Sequence, residues 1–361
     1  MAEEHDRSLA WRVGGPQGSG VDTAARIFAG ACVAAGLHVF GRREYYSNIM
    51  GRHSYYDVRV DRRPMSCHRN QVHLLVTFDA ETLARHSVAA VPGGALIYDE
   101  DDAGLPLDRI TFLDERAQED LTAYLAARDL PPTTAGVLED ARQRGVHTVA
   151  VSYDRIIDRL AQDERYRERA DRARNTIAVT ISAALLGHDP HFLEVALAEI
   201  WAGKKGVVDL NMRAAEIAYD YVQEELQAQP LEHWLAAPRG RQAAQVEAQA
   251  RERLMLVGGG ETVALGKMAA GLSFQTYYPI SPATDESVYL EAHASVPQRD
   301  GGQAAIVVVQ TEDELSAITM ASGAALTGAR SATATARSRF ARGAIRVFCR
   351  DFSAFCGEVS E

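Results

Sequence analysis

Three stretches of the chain carry side chains whose types and spacing suit chemistry. The first is QTYYPISPATDES, Gln275 to Ser287, followed by the apolar run IVVVQ and then TEDE, Thr311 to Glu314. Pro279 and Pro282 stiffen a loop that sets Ser281 at a strand end with Tyr278 beside it, and open α/β sheets take ligands at such ends. Glu312 comes directly after the next buried strand. A carboxylate at a pocket mouth can protonate or hydrogen-bond a ring nitrogen. A solvated acidic turn also fits the composition of this stretch.

The second stretch is GGPQGSG, Gly14 to Gly20. A glycine-rich turn between strand and helix aims backbone N–H groups and a helix N-terminus at an anion, and the missing side chains at Gly15, Gly18 and Gly20 let a phosphate approach. The spacing is neither the dinucleotide G-x-G-x-x-G nor the P-loop, and Asp22 is a plain capping-type residue, so a tight turn without a ligand stays open beside the anion site. The third stretch, REYYSNIMGRHSYYDVRV from Arg43 to Val60, is dense in Tyr, Arg and His. It reads as an exposed recognition loop leading into a strand, since aromatic and Arg side chains supply most contact energy at interfaces. His53 has no partner identifiable in sequence and is read as a hydrogen-bonded structural histidine.

The elements that must position these residues follow from periodicity. Leu9, Trp11 and Val13 alternate as a buried strand into the glycine turn, and Val21, Ala24, Ala25, Phe28, Cys32 and Ala35 then mark one helix face. Further strands are expected at Val72 to Phe78, Ala95 to Asp99 and Val146 to Ser152, with helices at Ala117 to Ala127 and Ala135 to Arg144 between them. That alternation predicts an α/β fold with an open, mostly parallel sheet covered by helices. From Ala170 to Gln227 the pattern is helical throughout. Gln229 to Arg253 reads as a linker with room for a short helix. A second α/β unit opens at Leu254, with helices near Glu261 to Ala270, Asp285 to Ala294 and Glu314 to Leu326 and strands near Ser273 to Tyr278 and Ala304 to Val309. It holds about two and a half βα units, fewer than a doubly wound domain needs to bury both sheet faces.

The composition narrows the function classes. The chain has 361 residues, 38 Lys+Arg against 49 Asp+Glu, and a formal net charge of −11, which argues against a nucleic-acid binder held by general positive charge. No apolar stretch approaches the roughly 20 residues of a membrane span, and the acidic start MAEEHDRSLAW is no signal peptide, so a soluble cytoplasmic protein is expected. Cys32, Cys67, Cys349 and Cys356 form no CxxC pair, and Cys67-His68 alone cannot enclose zinc. Any iron–sulfur cluster is expected on another chain.

On these motifs the chain resembles the α subunit of archaeal 2-oxoacid:ferredoxin oxidoreductases, in which a γ-type domain is fused ahead of a pyrimidine-binding domain. GGPQGSGVDTAARIF, REYYSNIMGRHSYY and FDAET look like the γ part. GETVALGKMAAG, YYPISPATDES and VVVQTEDELSAITMASGAALTGARSATAT look like the α part, and the match runs from about Trp11 to Thr335. The resemblance implies a Rossmann-like γ-type domain over residues 1–228, a linker at 229–253 and the N-terminal part of a pyrimidine-binding thiamine diphosphate domain at 254–335. It implies coenzyme A-dependent oxidative decarboxylation of a 2-oxoacid, with thiamine diphosphate shared with a β subunit and ferredoxin as electron acceptor. Glu312 would meet the aminopyrimidine ring. Ser281, where the family usually has threonine in its YPITP motif, would lie next to the substrate carbonyl, and Tyr278 and Pro279 would shape that pocket. No Gly-Asp-Gly followed by a distant Asn appears, so Mg²⁺ and the iron–sulfur cluster are expected on the β subunit. The γ-like domain is associated in the family with covering the site, with assembly and in some relatives with coenzyme A, so Gly15, Gly18 and Gly20 would see a pyrophosphate.

The sequence departs from the family after SATAT, where Ser-Gly-Pro-Gly-Phe-Ser normally follows. Residues 336–361 begin ARSRFARGAIRVFCR, with five arginines in fifteen residues. Codons CGG-TCC-CGG for Arg337-Ser338-Arg339, read one base later with the T of the Phe340 codon, give Gly-Pro-Gly, so an out-of-frame tail is expected there. A second reading is therefore a non-catalytic, shortened polypeptide that at most binds a partner subunit. A third, a nucleotide-binding protein with GGPQGSG as its only site, leaves YYPISPATDES unexplained.

Overall fold

The computed structural model of the chain describes residues 8–45, 51–226, 231, 241–280, 283–297 and 302–335. These divide into two compact units, residues 1–256 and 257–361. Ser281, residues 46–50 within the stretch Arg43 to Val60, and the tail 336–361 lie outside the described residues.

The first unit is built on a six-stranded sheet in the order β2-β3-β1-β4-β5-β6, with β1 Leu9–Pro16, β2 His38–Tyr45, β3 His53–Asp61, β4 Val72–Thr77, β5 Ala90–Asp99 and β6 His147–Val151. Strands β1, β4, β5 and β6 are parallel neighbours, whereas β3 runs antiparallel to both β1 and β2. Arg43–Tyr45 close β2 and His53–Val60 lie in β3, so most of the stretch taken as a recognition loop is a hairpin. Its residues alternate: Val58 and Val60 join one core, while Asp57 and His53 turn to the other face.

Helices cover both faces. On one, α1 Val21–Ala34, α5 Tyr153–Ala161, α6 Arg174–Leu185, α7 Pro190–Ile200 and α8 Lys205–Tyr221 enclose a core containing Trp11, Ile27, Phe28, Ile177 and Phe192. Trp11 stacks on Phe28 with centroids 4.4 Å apart and donates its indole N–H to Ser182 Oγ at 3.2 Å. On the other face, α2 Ala80–His86, α3 Glu115–Ala126 and α4 Thr134–Gln143 close over Leu75, Leu83, Leu96, Leu125 and Val137. The helix after β1 and the helix after the neighbouring strand β4 thus leave to opposite faces, the arrangement that opens a crevice at the C-terminal strand ends. The stretch read as a linker contains α9 Arg241–Arg253. Its Ala243 is buried in the first unit's core and its Glu247 accepts from His191 Nε2 at 2.8 Å, so this helix packs as part of that unit.

The second unit has a three-stranded parallel sheet in the order β10-β7-β11 and a separate two-stranded ribbon. Its elements are α10 Gly259–Ala269, β7 Phe274–Tyr277, α11 Ala283–Ala292, β8 Ser295–Pro297, β9 Gln303–Ala305, β10 Val307–Gln310, α12 Glu314–Leu326 and β11 Ser331–Ala334. The single strand expected over Ala304 to Val309 is broken at Ile306, whose N–H donates to Ala294 O at 2.8 Å; β9 instead pairs back on β8. The core is small, gathered around Ala264, Leu272, Leu290 and Ile306.

Candidate active site and anion turn

In the second unit, alternation along β7 sends successive side chains to opposite faces. Gln275 donates to Glu286 Oε1 at 3.0 Å on α11, and Thr276 donates to the Ala317 carbonyl on α12 at 2.7 Å. Both residues are fully buried, and each has a partner, as a buried polar group requires. Lys267 of α10 joins Gln275 and Glu286, fastening α10 and α11 to the strand.

These bonds hold the C-terminal ends of β7 and β10 level. Tyr277 pairs with Gln310, and the Thr311 N–H donates to the Tyr277 carbonyl at 2.8 Å. Tyr278 and Pro279 therefore leave β7 beside the point where Thr311 and Glu312 leave β10. Tyr278 is half-buried, and Pro279 and Glu312 are exposed. Asp313 caps α12, accepting from the Ser316 N–H at 2.6 Å, so the acidic turn is divided. Asp313 is a structural cap, and Glu312 stands at the strand mouth. Tyr278, Pro279 and Glu312 are thus brought together at one sheet edge.

In the first unit the glycine turn joins β1 to α1. Gly18 and Gly20 have φ of +97° and +90°, values L side chains rarely adopt. A Cβ on Gly20 would also lie 1.9 Å from Asn175 Nδ2, and one on Gly15 would meet Phe78 and Ser19 at 2.8 Å. Each of the three glycines thus has a structural reason to be glycine. Helix α1 opens on Gly20 without a side-chain cap, and the Ser19 hydroxyl is buried with no hydrogen-bond partner. The turn is held from the hairpin side: the Gln17 N–H donates to Arg52 O at 2.8 Å, Gly51 N–H to Gln17 O at 3.1 Å, and Ser54 Oγ to Gly15 O at 3.3 Å.

His53 is a buried, hydrogen-bonded histidine, its Nε2 2.8 Å from His86 Nε2. Burial, with Arg85 and Arg12 nearby, pulls it down to about 4. Sequence reasoning missed its partners. Arg12 donates to Asp57 through two nitrogens, at 2.6 and 3.0 Å, and its Nη1 is 3.2 Å from His86 Nδ1. The available signal was an arginine inside the otherwise apolar strand LAWRV; its partners stand 45 and 74 positions away. Also missed was Asp102, after β5, whose carboxyl burial and the nearby Asp99 and Asp79 push up to about 7.

Residues 10–221 match the family model described as "Pyruvate ferredoxin/flavodoxin oxidoreductase". Residues 265–343 match that described as "Pyruvate flavodoxin/ferredoxin oxidoreductase, thiamine diP-bdg". The chain is 37% identical over 339 residues to "2-oxoacid:ferredoxin oxidoreductase 1, subunit alpha" of Sulfurisphaera tokodaii, covering 92% of this chain and 51% of the relative. It is 33% identical over 338 residues to "2-oxoacid:ferredoxin oxidoreductase 2, subunit alpha" of Aeropyrum pernix, covering 91% and 51%. The chain thus spans about half the length of the curated relatives it matches. A 2-oxoglutarate:ferredoxin oxidoreductase from Magnetococcus marinus, solved with 2-oxoglutarate, coenzyme A and succinyl-CoA bound, shares the fold with a TM-score of 0.63 at 23% identity, over 91% of this chain and 47% of that one. Two family models in the same order as the two compact units, with relatives matched along nearly the whole chain, establish that it belongs to the pyruvate ferredoxin/flavodoxin oxidoreductase family.

Proposed function

We propose that the chain acts as the α subunit of a 2-oxoacid:ferredoxin oxidoreductase, catalysing coenzyme A-dependent oxidative decarboxylation of a 2-oxoacid to an acyl-CoA with electrons passed to ferredoxin. The observation that carries this reading is the level ending of β7 and β10, which places Glu312 beside Tyr278 and Pro279. An exposed carboxylate next to a half-buried tyrosine at the C-terminal edge of parallel strands suits the aminopyrimidine end of thiamine diphosphate. Glu312 would hold that ring by sharing a proton with a ring nitrogen, Tyr278 and Pro279 would shield its flank from water, and the Ser281 hydroxyl would orient the 2-oxo group. Bound thiamine diphosphate supplies the carbon nucleophile and electron sink that decarboxylation needs. A β subunit would share this cofactor and carry Mg²⁺ and the iron–sulfur cluster, and the turn at Gly15, Gly18 and Gly20 would take the coenzyme A pyrophosphate. Among the described residues no helix is long and apolar enough to cross a membrane; a cytoplasmic site of action completes the proposal and is checked by cell fractionation.

The test is co-expression with a β-subunit gene, followed by 2-oxoacid- and coenzyme A-dependent reduction of a viologen dye. Activity lost on Glu312→Gln supports the reading, and activity unchanged in that variant overturns the role of Glu312. A second reading is a chain that binds a partner subunit without catalysis; the apolar side chains the second unit exposes, Leu315 at 53% and Leu326 at 90%, suit such binding and by themselves require no catalysis. A stable but inactive complex selects it.

A further inference from the structure

On the face of β1 and β3 that looks toward α2, the sheet carries charged and polar side chains where a core would be expected. Arg12, His53, Asp57 and His86 are each less than a tenth exposed. Gly14 makes the close approach of α2 possible, since a Cβ there would lie 2.5 Å from Thr82 Cγ2. His86, at the end of α2, is thereby set between Arg12 and His53.

The protonation pattern of this group follows from its donors. A guanidinium has only donors, so His86 Nδ1, 3.2 Å from Arg12 Nη1, must accept and carry no proton. A neutral His86 then holds its proton on Nε2. That proton points at His53 Nε2, 2.8 Å away, which must accept in turn and leaves the His53 proton on Nδ1. Asp57 fixes the head of the series by engaging Arg12 at two nitrogens, a pairing that holds the guanidinium plane. Tyr55 packs over the middle, its ring 4.5 Å from the Arg12 guanidinium carbon and 4.6 Å from the His86 ring. A cation is a poor occupant between these imidazoles, because Arg12 already occupies His86 Nδ1 and adds its own positive charge.

We infer that Asp57, Arg12, His86 and His53 form a one-directional hydrogen-bond relay that fixes the histidine tautomers and so positions the β3 entrance against the Gly14–Gly20 turn. Residue 53 is where the positioning is applied. It pairs with Pro16, and its neighbours Gly51, Arg52 and Ser54 make the three bonds that hold Gly15 and Gln17. The four side chains are positioning residues for the turn. The part of the inference that concerns coenzyme A rests on the reading of that turn as its pyrophosphate site; the relay itself does not.

The test uses the full chain labelled with ¹⁵N in the histidine rings. At pH 7 the relay requires His86 protonated on Nε2 only and His53 on Nδ1 only, each distinguishable by its ring-nitrogen shifts; imidazolium at either residue, or a proton on His53 Nε2, overturns it. Coenzyme A affinity is then measured for the wild type, His53→Gln and His53→Leu. Gln keeps an acceptor for the His86 N–H and is expected to bind within about threefold of wild type, whereas Leu takes that acceptor away, releases the entrance of β3 and is expected to bind more weakly than Gln by roughly fivefold or more. Equal affinities in all three proteins would overturn the positioning role. If His53→Leu does not fold, the ring shifts of the wild type and a tautomer of His86 unchanged in His53→Gln decide the relay. If the wild-type chain fails to bind coenzyme A while the shifts are as stated, the relay stands and the reading of the turn as a coenzyme A site is what fails.

Discussion

Single residues carry the chemistry proposed for this chain, and their surroundings set different demands. Glu312 is exposed at a strand mouth, while its neighbour Asp313 is committed to capping a helix. In the co-expressed complex Glu312→Gln is expected to lower turnover by on the order of 100-fold or more, the scale of a lost acid–base group, while Asp313→Asn is expected to leave turnover nearly unchanged; dye-reduction rates on both variants check this. Histidines give a second prediction. His53 and His188 are each pulled down to about 4 by burial, with Arg85 and Arg12 adding to the effect at His53. An unfolded histidine titrates near 6.5, so between about pH 6.5 and 4 the unfolded chain binds protons that the folded chain refuses. Stability is therefore expected to be full above pH 6.5 and to fall as pH drops toward 4, by on the order of 3 kcal/mol for each group. Urea midpoints across this range measure it, and His188→Gln should flatten the slope. Asp102, raised to about 7, works in the opposite direction over the same range, and Asp102→Asn should steepen it.

Elements decide whether those residues meet. The glycine turn places α1 against α6 through the contact of Gly20 with Asn175, and the positive φ at Gly20 adds a backbone demand. Gly20→Val is expected to destabilise the first unit by about 1–3 kcal/mol or more, since it combines left-handed backbone strain with a clash; thermal unfolding reads this, and Asn175→Ala should recover only the part due to the clash. The helices and parallel strands of the first unit were legible from local period because each buries one face, as in Leu9, Trp11 and Val13 along β1. The β2–β3 hairpin was less legible. Its Tyr and Arg residues suit a recognition loop as well as a strand, and only the pairing of Tyr55, Tyr56 and Asp57 with both β1 and β2 makes them strand residues. Helix α9 shows the same limit: a segment rich in Ala, Gln and Arg has weak amphipathic contrast, and it is the fit of Ala243 and Glu247 against the first unit that orders it.

At the scale of the whole molecule the two units differ in how much apolar surface they remove from water. The first has cores on both sheet faces, and the second gathers four buried apolar side chains in its main cluster while exposing Val263, Val288, Val307, Leu315 and Leu326. Hydrophobic stabilisation scales with buried area, so the second unit is expected to unfold at lower denaturant than the first. The three tryptophans, Trp11, Trp201 and Trp234, all fall within residues 1–256, so tryptophan fluorescence should follow the later transition, and far-ultraviolet circular dichroism should show both; coincident curves would count against independent units. By itself the sequence determined the order of the two α/β units, the strand-turn-helix at Gly14–Gly20, the places of Tyr278 and Glu312 each directly after an apolar strand and the family, because these rest on local period and contiguous motifs. Only the tertiary structure decided that β7 and β10 end level, that Gly15 and Gly20 are required by Phe78 and Asn175, and that Arg12 and Asp57 meet His86 and His53. Those contacts join residues tens of positions apart, and pairing across such distances is set by how the strands and helices pack, which no local pattern encodes.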